Sequence, residues 1–231
     1  MLTSIDNLID KKDIVSKFNK LFKIPRSILG RGFRNSLDLI GEDLNLKKVV
    51  LKSKTKVLDW TIPDEWNIDD GYLITPDNRK ICDFKKNNLH ILNYSLPVNK
   101  LLDLKTLKKK IFTLPNYPSA IPYVTSYYKR DWGFSLDYNT YSKLKKGKYQ
   151  AIIKSKIKPG KLVYSDNVIK GKSKKEVLIY SYLCHPQMAN HELSGPLVWR
   201  ELFKILKRTG PHNLSYRFVM APENIGAAAF L

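Results

Sequence analysis

The apolar positions of this chain fall into three textures, each of which predicts a different kind of structure. Ile14 to Phe22 and Phe33 to Ile40 repeat at helical spacing, and Pro25 to Gly32 between them ends one element and starts the next. From Val57 to about Tyr149 the apolar runs are short. Turn signals at Pro63-Asp64, Asp69 to Gly71, Thr75 to Asn78, Asn87-Asn88 and Asn116 to Pro118 break them up. That predicts a compact, mostly β module with one helical piece over Leu101 to Ile111. Tyr149 to Ile157 and Lys161 to Ile169 read as two strands joined like a hairpin by Lys158-Pro159-Gly160. The last part alternates: a hydrophobic run from Val177 to Leu183, a polar loop, an amphipathic stretch from Pro196 to Arg208, and a second run from Ser215 to Ala221. This predicts strand, helix and strand, and overall an α/β chain with an inserted β module: 1–56 and 150–231 as core, 57–149 as insert.

The last texture carries the chemistry. If its two strands and their helix form one right-handed crossover, the strands are parallel and their C-terminal ends share one edge of the sheet, where α/β folds bind ligands. The residues beyond those ends are Cys184 to Gly195 and Pro222 to Gly226. His185, His191, Glu192 and Glu223 are thereby drawn toward one crevice. Imidazoles and carboxylates there suit a metal-activated water with a glutamate as proton acceptor, an arrangement that hydrolyses amides. The same residues admit a structural reading: a histidine closing a strand is often only hydrogen-bonded, and Glu192 near a helix N-terminus is favourable through its charge alone.

Composition narrows the choices. Cys82 and Cys184 are far apart and lack metal-ligand spacing, so a metal site has to use histidine and carboxylate. A net charge of +20 invites a nucleic-acid partner. The excess is nearly all lysine, densest at Lys108 to Lys110, Lys143 to Lys148 and Lys170 to Lys175, which favours solvated surface over a specific nucleic-acid site. Trp60, Trp66, Tyr127, Tyr128, Trp132 and Phe134 are core aromatics before they are a sugar or peptide pocket. No run is long enough to span a bilayer and Met1 to Asp10 lacks a signal-peptide core, so a soluble, cytoplasmic protein is expected.

Several stretches resemble a known family. They are Arg26 to Gly32, Val57 to Ile68, Asn88 to His90, Asn93 to Ser95, Ile121 to Tyr128, Trp132 to Phe134, and Cys184 to Gly195. The chain is similar to an aminopeptidase-like family of unknown function (DUF4910-type, with a nested DUF2172-type domain) in the zinc-dependent exopeptidase superfamily. The resemblance implies a three-layer α/β core interrupted by the β module, and a di-zinc aminopeptidase-type site. It puts His185 at the first zinc-ligand histidine and Glu223 at the catalytic general base. His191 falls where the superfamily places a bridging aspartate, Glu192 at the following asparagine, and Asn224 at a ligand glutamate. The last three depart from the pattern, so two histidines and Glu223 are left to hold one ion.

Relatives continue past Leu231 and draw further ligands from there. The chain therefore resembles a truncated product, expected to expose a sheet edge and to lack aminopeptidase activity alone. The leading function is a zinc metallohydrolase cleaving an amide of a peptide or a modified sugar, in surface-polysaccharide biosynthesis. The alternatives are an inactive member binding through its aromatic β module and, behind it, a basic nucleic-acid binder.

Overall fold

A computed structural model describes residues 9–231. The chain divides into two compact units, the first formed by residues up to Glu65 together with Pro159–Leu231, the second by Trp66–Lys158.

The first unit opens with α1 (Lys11–Phe22), whose N-terminal amides of Lys12 and Asp13 are capped by the Asp10 carboxylate at 2.9 and 3.0 Å. A turn leads to α2 (Arg31–Ile40), which buries Phe33, Leu37 and Ile40. Two glycines shape that turn for different reasons. Gly30 has φ +122°, and a Cβ on Gly32 would stand 1.9 Å from the Pro25 carbonyl oxygen. β1 (Lys48–Lys52) and the short pair β2 (Lys56–Val57) and β3 (Trp60–Thr61) follow.

The second unit contains β4 (Glu65–Ile74, whose first residue is the boundary), β5 (Lys80–Ile81), β6 (Val98–Asp103), α3 (Leu104–Lys108), β7 (Ile111–Phe112), β8 (Phe134–Ser135), α4 (Tyr138–Ser142) and β9 (Lys148–Lys158). Its main sheet has the order β5-β4-β9-β6, and β7 pairs with β8. The expected helix over Leu101 to Ile111 is corrected here. Leu101 and Leu102 belong to strand β6, paired with Gln150 and Tyr149, and only Leu104–Lys108 is helical, started by the Asp103 side chain on the Thr106 amide. The change of unit falls at Glu65/Trp66 and Lys158/Pro159, beyond the expected 57 and 149, because β4 and β9 are long strands of one sheet and stay with it.

Back in the first unit are β10 (Lys161–Ile169), β11 (Glu176–Tyr182), α5 (Ala189–Glu192), α6 (Ser194–Thr209), β12 (Ser215–Ala221) and α7 (Ile225–Phe230). Its sheet has the order β1-β10-β12-β11. The hairpin expected across Lys158-Pro159-Gly160 is a second correction. Both strands form, but β9 pairs in the other sheet while β10 lies antiparallel between β1 and β12. A turn signal predicts a change of direction, not the partner that a strand finds afterwards.

The strand, helix and strand of the C-terminal region stand as the periodicity predicts. β11 and β12 are parallel, with Glu176 opposite Ser215 and Tyr182 opposite Ala221. Trp199 of α6 packs against Phe203 and against Phe218 of β12, with centroids 5.8 and 5.3 Å apart, and its indole N–H donates to the Ile179 carbonyl of β11 at 3.2 Å. Arg217 binds Asp166 of β10 and Glu176 of β11, tying three neighbouring strands. β12 is central and its last four residues are buried; β11 is the outer strand among the described residues and leaves Val177 and Leu178 exposed. Among the described residues no helix is long and apolar enough to cross a membrane.

Candidate metal centre

Register decides where the site forms. Because Tyr182 and Ala221 are level in the parallel pair, Cys184 and His185 leave β11 at the height at which Glu223 leaves β12. The loop after β11 then turns into the single helical turn α5, which runs directly into α6 and carries Glu192 back under the strand end. Cys184, His185, Glu192 and Glu223 thus each present a ligand atom, and these atoms all lie within 4.8 Å of one another.

The four groups are not equivalent. Glu192 is fully buried and both its oxygens are engaged: one accepts the Cys184 backbone N–H at 2.6 Å, the other a short contact from His185 Nδ1. The His185 side chain is 11% exposed, and its other nitrogen, Nε2, stands 3.4 Å from Glu223 Oε2, whose side chain is 35% exposed. Burial, reinforced by the Glu192 carboxylate, pushes the Cys184 thiol well above its ordinary range, which keeps it protonated. Its sulfur accepts the Glu223 backbone N–H at 3.3 Å and so links the two loops. Burial also raises Tyr180, whose hydroxyl donates to the Pro222 carbonyl at 3.2 Å beside Glu223.

His191 stands outside this converging group. Its side chain is 47% exposed, its ring lies 5.3 Å from both the His185 and Tyr182 rings, and its Nε2 is 4.0 Å from Glu192. Asn224 makes no side-chain capping bond and holds φ +55°, ψ −73°, a sparsely populated conformation for any residue but glycine. Strained backbone directly after Glu223 is the kind of outlier that collects at functional sites.

Sequence reasoning overlooked Arg26, a fully buried guanidinium that donates to the His185 carbonyl, and it left Cys184, whose sulfur lies in the converging group, out of the metal site for want of ligand spacing. Arg26 lies inside a quoted motif, but nothing local says which carbonyl it reaches.

The chain matches the family described as a domain of unknown function (DUF4910) over residues 16–231. The chain belongs to this family. It is 42% identical over 219 residues to a Clostridium acetobutylicum protein named for polysaccharide biosynthesis and an aminopeptidase-like domain, covering 95% of this chain and 50% of the relative. A crystal structure from the same organism, of a protein whose name carries the word peptidase, superposes with a TM-score of 0.94 at 41% identity, over 98% of this chain and 54% of the other. The chain thus spans about half the length of these relatives. At 15% identity, the zinc aminopeptidase BSAP of Bacillus subtilis gives a TM-score of 0.52 over 95% of this chain and 64% of its own. A peptidase M28 precursor of Shewanella amazonensis gives 0.56 at 10% identity, over 98% and 68%. These two show a shared α/β fold.

The donor set could hold a metal ion. With Nδ1–H given to Glu192, Nε2 of His185 presents a lone pair toward the Glu223 carboxylate, and two acceptors facing each other across 3.4 Å call for a cation or a proton between them.

Proposed function

We propose that this centre binds one zinc ion and that the protein hydrolyses an amide bond, in a peptide or in an acylated or aminoacylated sugar. The observation that carries the reading is the approach of His185 Nε2 to Glu223 at the C-terminal ends of two parallel strands, with the other ring nitrogen already held by Glu192. The names of the relatives support it: one joins polysaccharide biosynthesis to an aminopeptidase-like domain, and a structural neighbour is a zinc aminopeptidase.

His185 would hold the ion through Nε2, and His191, with its ring against that of His185, offers a second nitrogen. When bound, zinc polarises an amide carbonyl and brings the pKa of a water toward about 7. Glu223, partly exposed at the mouth of the site, accepts the proton of the attacking water and passes it to the leaving amine. Glu192 keeps the His185 ring in one tautomer and orientation. Asparagine and histidine at 224 and 191 are neutral donors, so the centre has one uncommitted carboxylate, Glu223, which matches one dication better than two.

A form as long as the relatives should retain zinc after dialysis, as measured by elemental analysis. His185→Ala should lose most of it and Lys172→Ala none. Equal zinc in both variants would make His185 a structural residue. In a form as long as the relatives, Glu223→Gln should abolish amide hydrolysis while zinc content and Tm stay within error; retained turnover would remove Glu223 from its role.

A further inference from the structure

Arg26 is among the most deeply buried side chains of the first unit, with no exposed surface, and a buried guanidinium is costly unless its donors are well used. Its Nε and Nη2 donate to the same acceptor, the backbone carbonyl of His185, at 3.2 and 2.8 Å. Nη1 donates to the Leu21 carbonyl in the last turn of α1, where the helix dipole favours a cation. Arg26 therefore joins the C-terminal end of α1 to a residue 159 positions away.

The forked bond acts on the residue whose ring faces Glu223. A side chain is aimed from its own peptide unit, so fixing the carbonyl of His185 fixes the origin of its χ1 rotation. Glu192 fixes the far end, at Nδ1. With both ends held, Nε2 has one direction to point. The charge of Arg26 also sits within the electrostatic reach of this centre, where it acts on Cys184 against the opposing effect of Glu192.

We propose that Arg26 is a positioning residue of the metal centre: by clamping the His185 backbone carbonyl, it lets Glu192 hold the ring with Nε2 directed at Glu223. This rests on the metal reading for its consequence but not for its geometry. A lysine offers one compact point of charge where the guanidinium offers a planar fork, so Arg26→Lys is expected to be a partial substitute. Outer partners of metal-ligating histidines commonly govern metal affinity by about tenfold or more.

The test uses the whole 231-residue chain as wild type, Arg26→Lys and Arg26→Ala, with Arg217→Lys as a control for loss of a guanidinium elsewhere. Two readouts separate the clamp from the metal. Long-range proton–nitrogen NMR of the metal-free protein, with the His185 ring assigned by its loss in His185→Gln, should show a single Nδ1–H tautomer in wild type and the control. It should show a mixture in Arg26→Ala, restored by millimolar guanidinium. Zinc affinity by chelator competition should fall about tenfold in Arg26→Ala and less in Arg26→Lys. If Arg26→Ala does not fold, Arg26→Lys decides: a wild-type tautomer together with wild-type zinc affinity overturns the proposal. If wild type binds no zinc, the metal reading fails, and the tautomer alone judges the clamp: an unchanged ring in a folded Arg26 variant rejects it.

Discussion

The two units bury different things. Among the described residues, every buried charged side chain belongs to the first unit: Lys17, Arg26, Glu65, Glu192, Arg200 and Glu201. The buried polar residues of the second unit are Thr75, Asn88, Asn93, Ser95, Ser135 and Ser155, all neutral. A neutral core tolerates the loss of one hydrogen bond, because water or a second donor can often replace it. A buried charge must keep its specific partner, since the alternative is an ion left in a poor solvent. The unit with the candidate metal centre is therefore the one with charge in its interior, and it should be the more fragile to single substitutions.

The largest expected difference follows from Arg200. Its side chain is 2% exposed and binds the Ile40 carbonyl at 2.9 Å, Asp13 at 3.0 Å and Asp43 at 2.5 Å, joining α6 to α1 and to the end of α2. Arg200→Met should cost the first unit about 3 kcal/mol, since a buried carbonyl and paired carboxylates lose their donor at once. The matched change in the second unit is Ser155→Ala. Ser155 donates to the Ser95 carbonyl at 2.7 Å, but Trp66 Nε1 donates to the same oxygen at 2.9 Å, so about 1 kcal/mol is the ceiling. Hydrogen exchange of β12 and β4 amides reads the two units separately. Equal losses would refute the contrast between charged and neutral interiors.

Acid should separate the units in order. In the second, burial lowers His90 below its ordinary value of 6.5, against the opposing bond to the Ser135 carbonyl. The unfolded chain takes up that proton first, so stability falls as pH drops below 6.5 and levels off once the folded form protonates too. In the first unit, the hydrogen bond from Arg200 lowers Asp43 and that from Lys17 lowers Glu42. Their contribution is present above the ordinary values of 3.8 and 4.5, and is lost only as pH falls through the depressed folded values. Fluorine NMR of fluorotryptophan resolves the order, with Trp60 and Trp199 reporting the first unit and Trp66 and Trp132 the second. His90→Gln should remove the slope that begins near 6.5 from the second pair alone.

How much of this was legible in the residues follows the same division. β11, α6 and β12 were readable to within about two residues, because two unbroken hydrophobic runs flank one amphipathic stretch and parallel pairing is then nearly forced. Convergence of His185 and Glu223 came with them. The hairpin at Pro159 and the helix over Leu101 misled because strand partners are chosen in three dimensions: Leu101 and Leu102 are held by their pairing with β9, whatever their spacing suggests. The charged interior was the least visible. Glu192 could be a ligand or an orienting group on spacing alone, and only the path of α5 shows its two oxygens spent on Cys184 and His185. Arg26 needed the tertiary structure altogether, since its acceptor is 159 residues distant.

The smallest effect concerns the charges that stay outside. Lysines such as Lys143, Lys145 and Lys146 are exposed, whereas Lys17 and Arg200 are buried against carboxylates. Salt screens the first kind within a Debye length of about 8–10 Å and reaches the second far less. With a net charge of +20, the chain should retain random-sequence DNA weakly at low salt and lose it steeply between about 50 and 200 mM, as counterion release requires. Over the same range the Tm of the first unit should move little, because the cations of its central pairs, Lys17 and Arg200, are buried. DNA binding that survives physiological salt and prefers one sequence would show that some of the surface lysines form a true site. A first unit that loosens in step with DNA release would show that its buried pairs are open to solvent, and the contrast between the two units would fail with them.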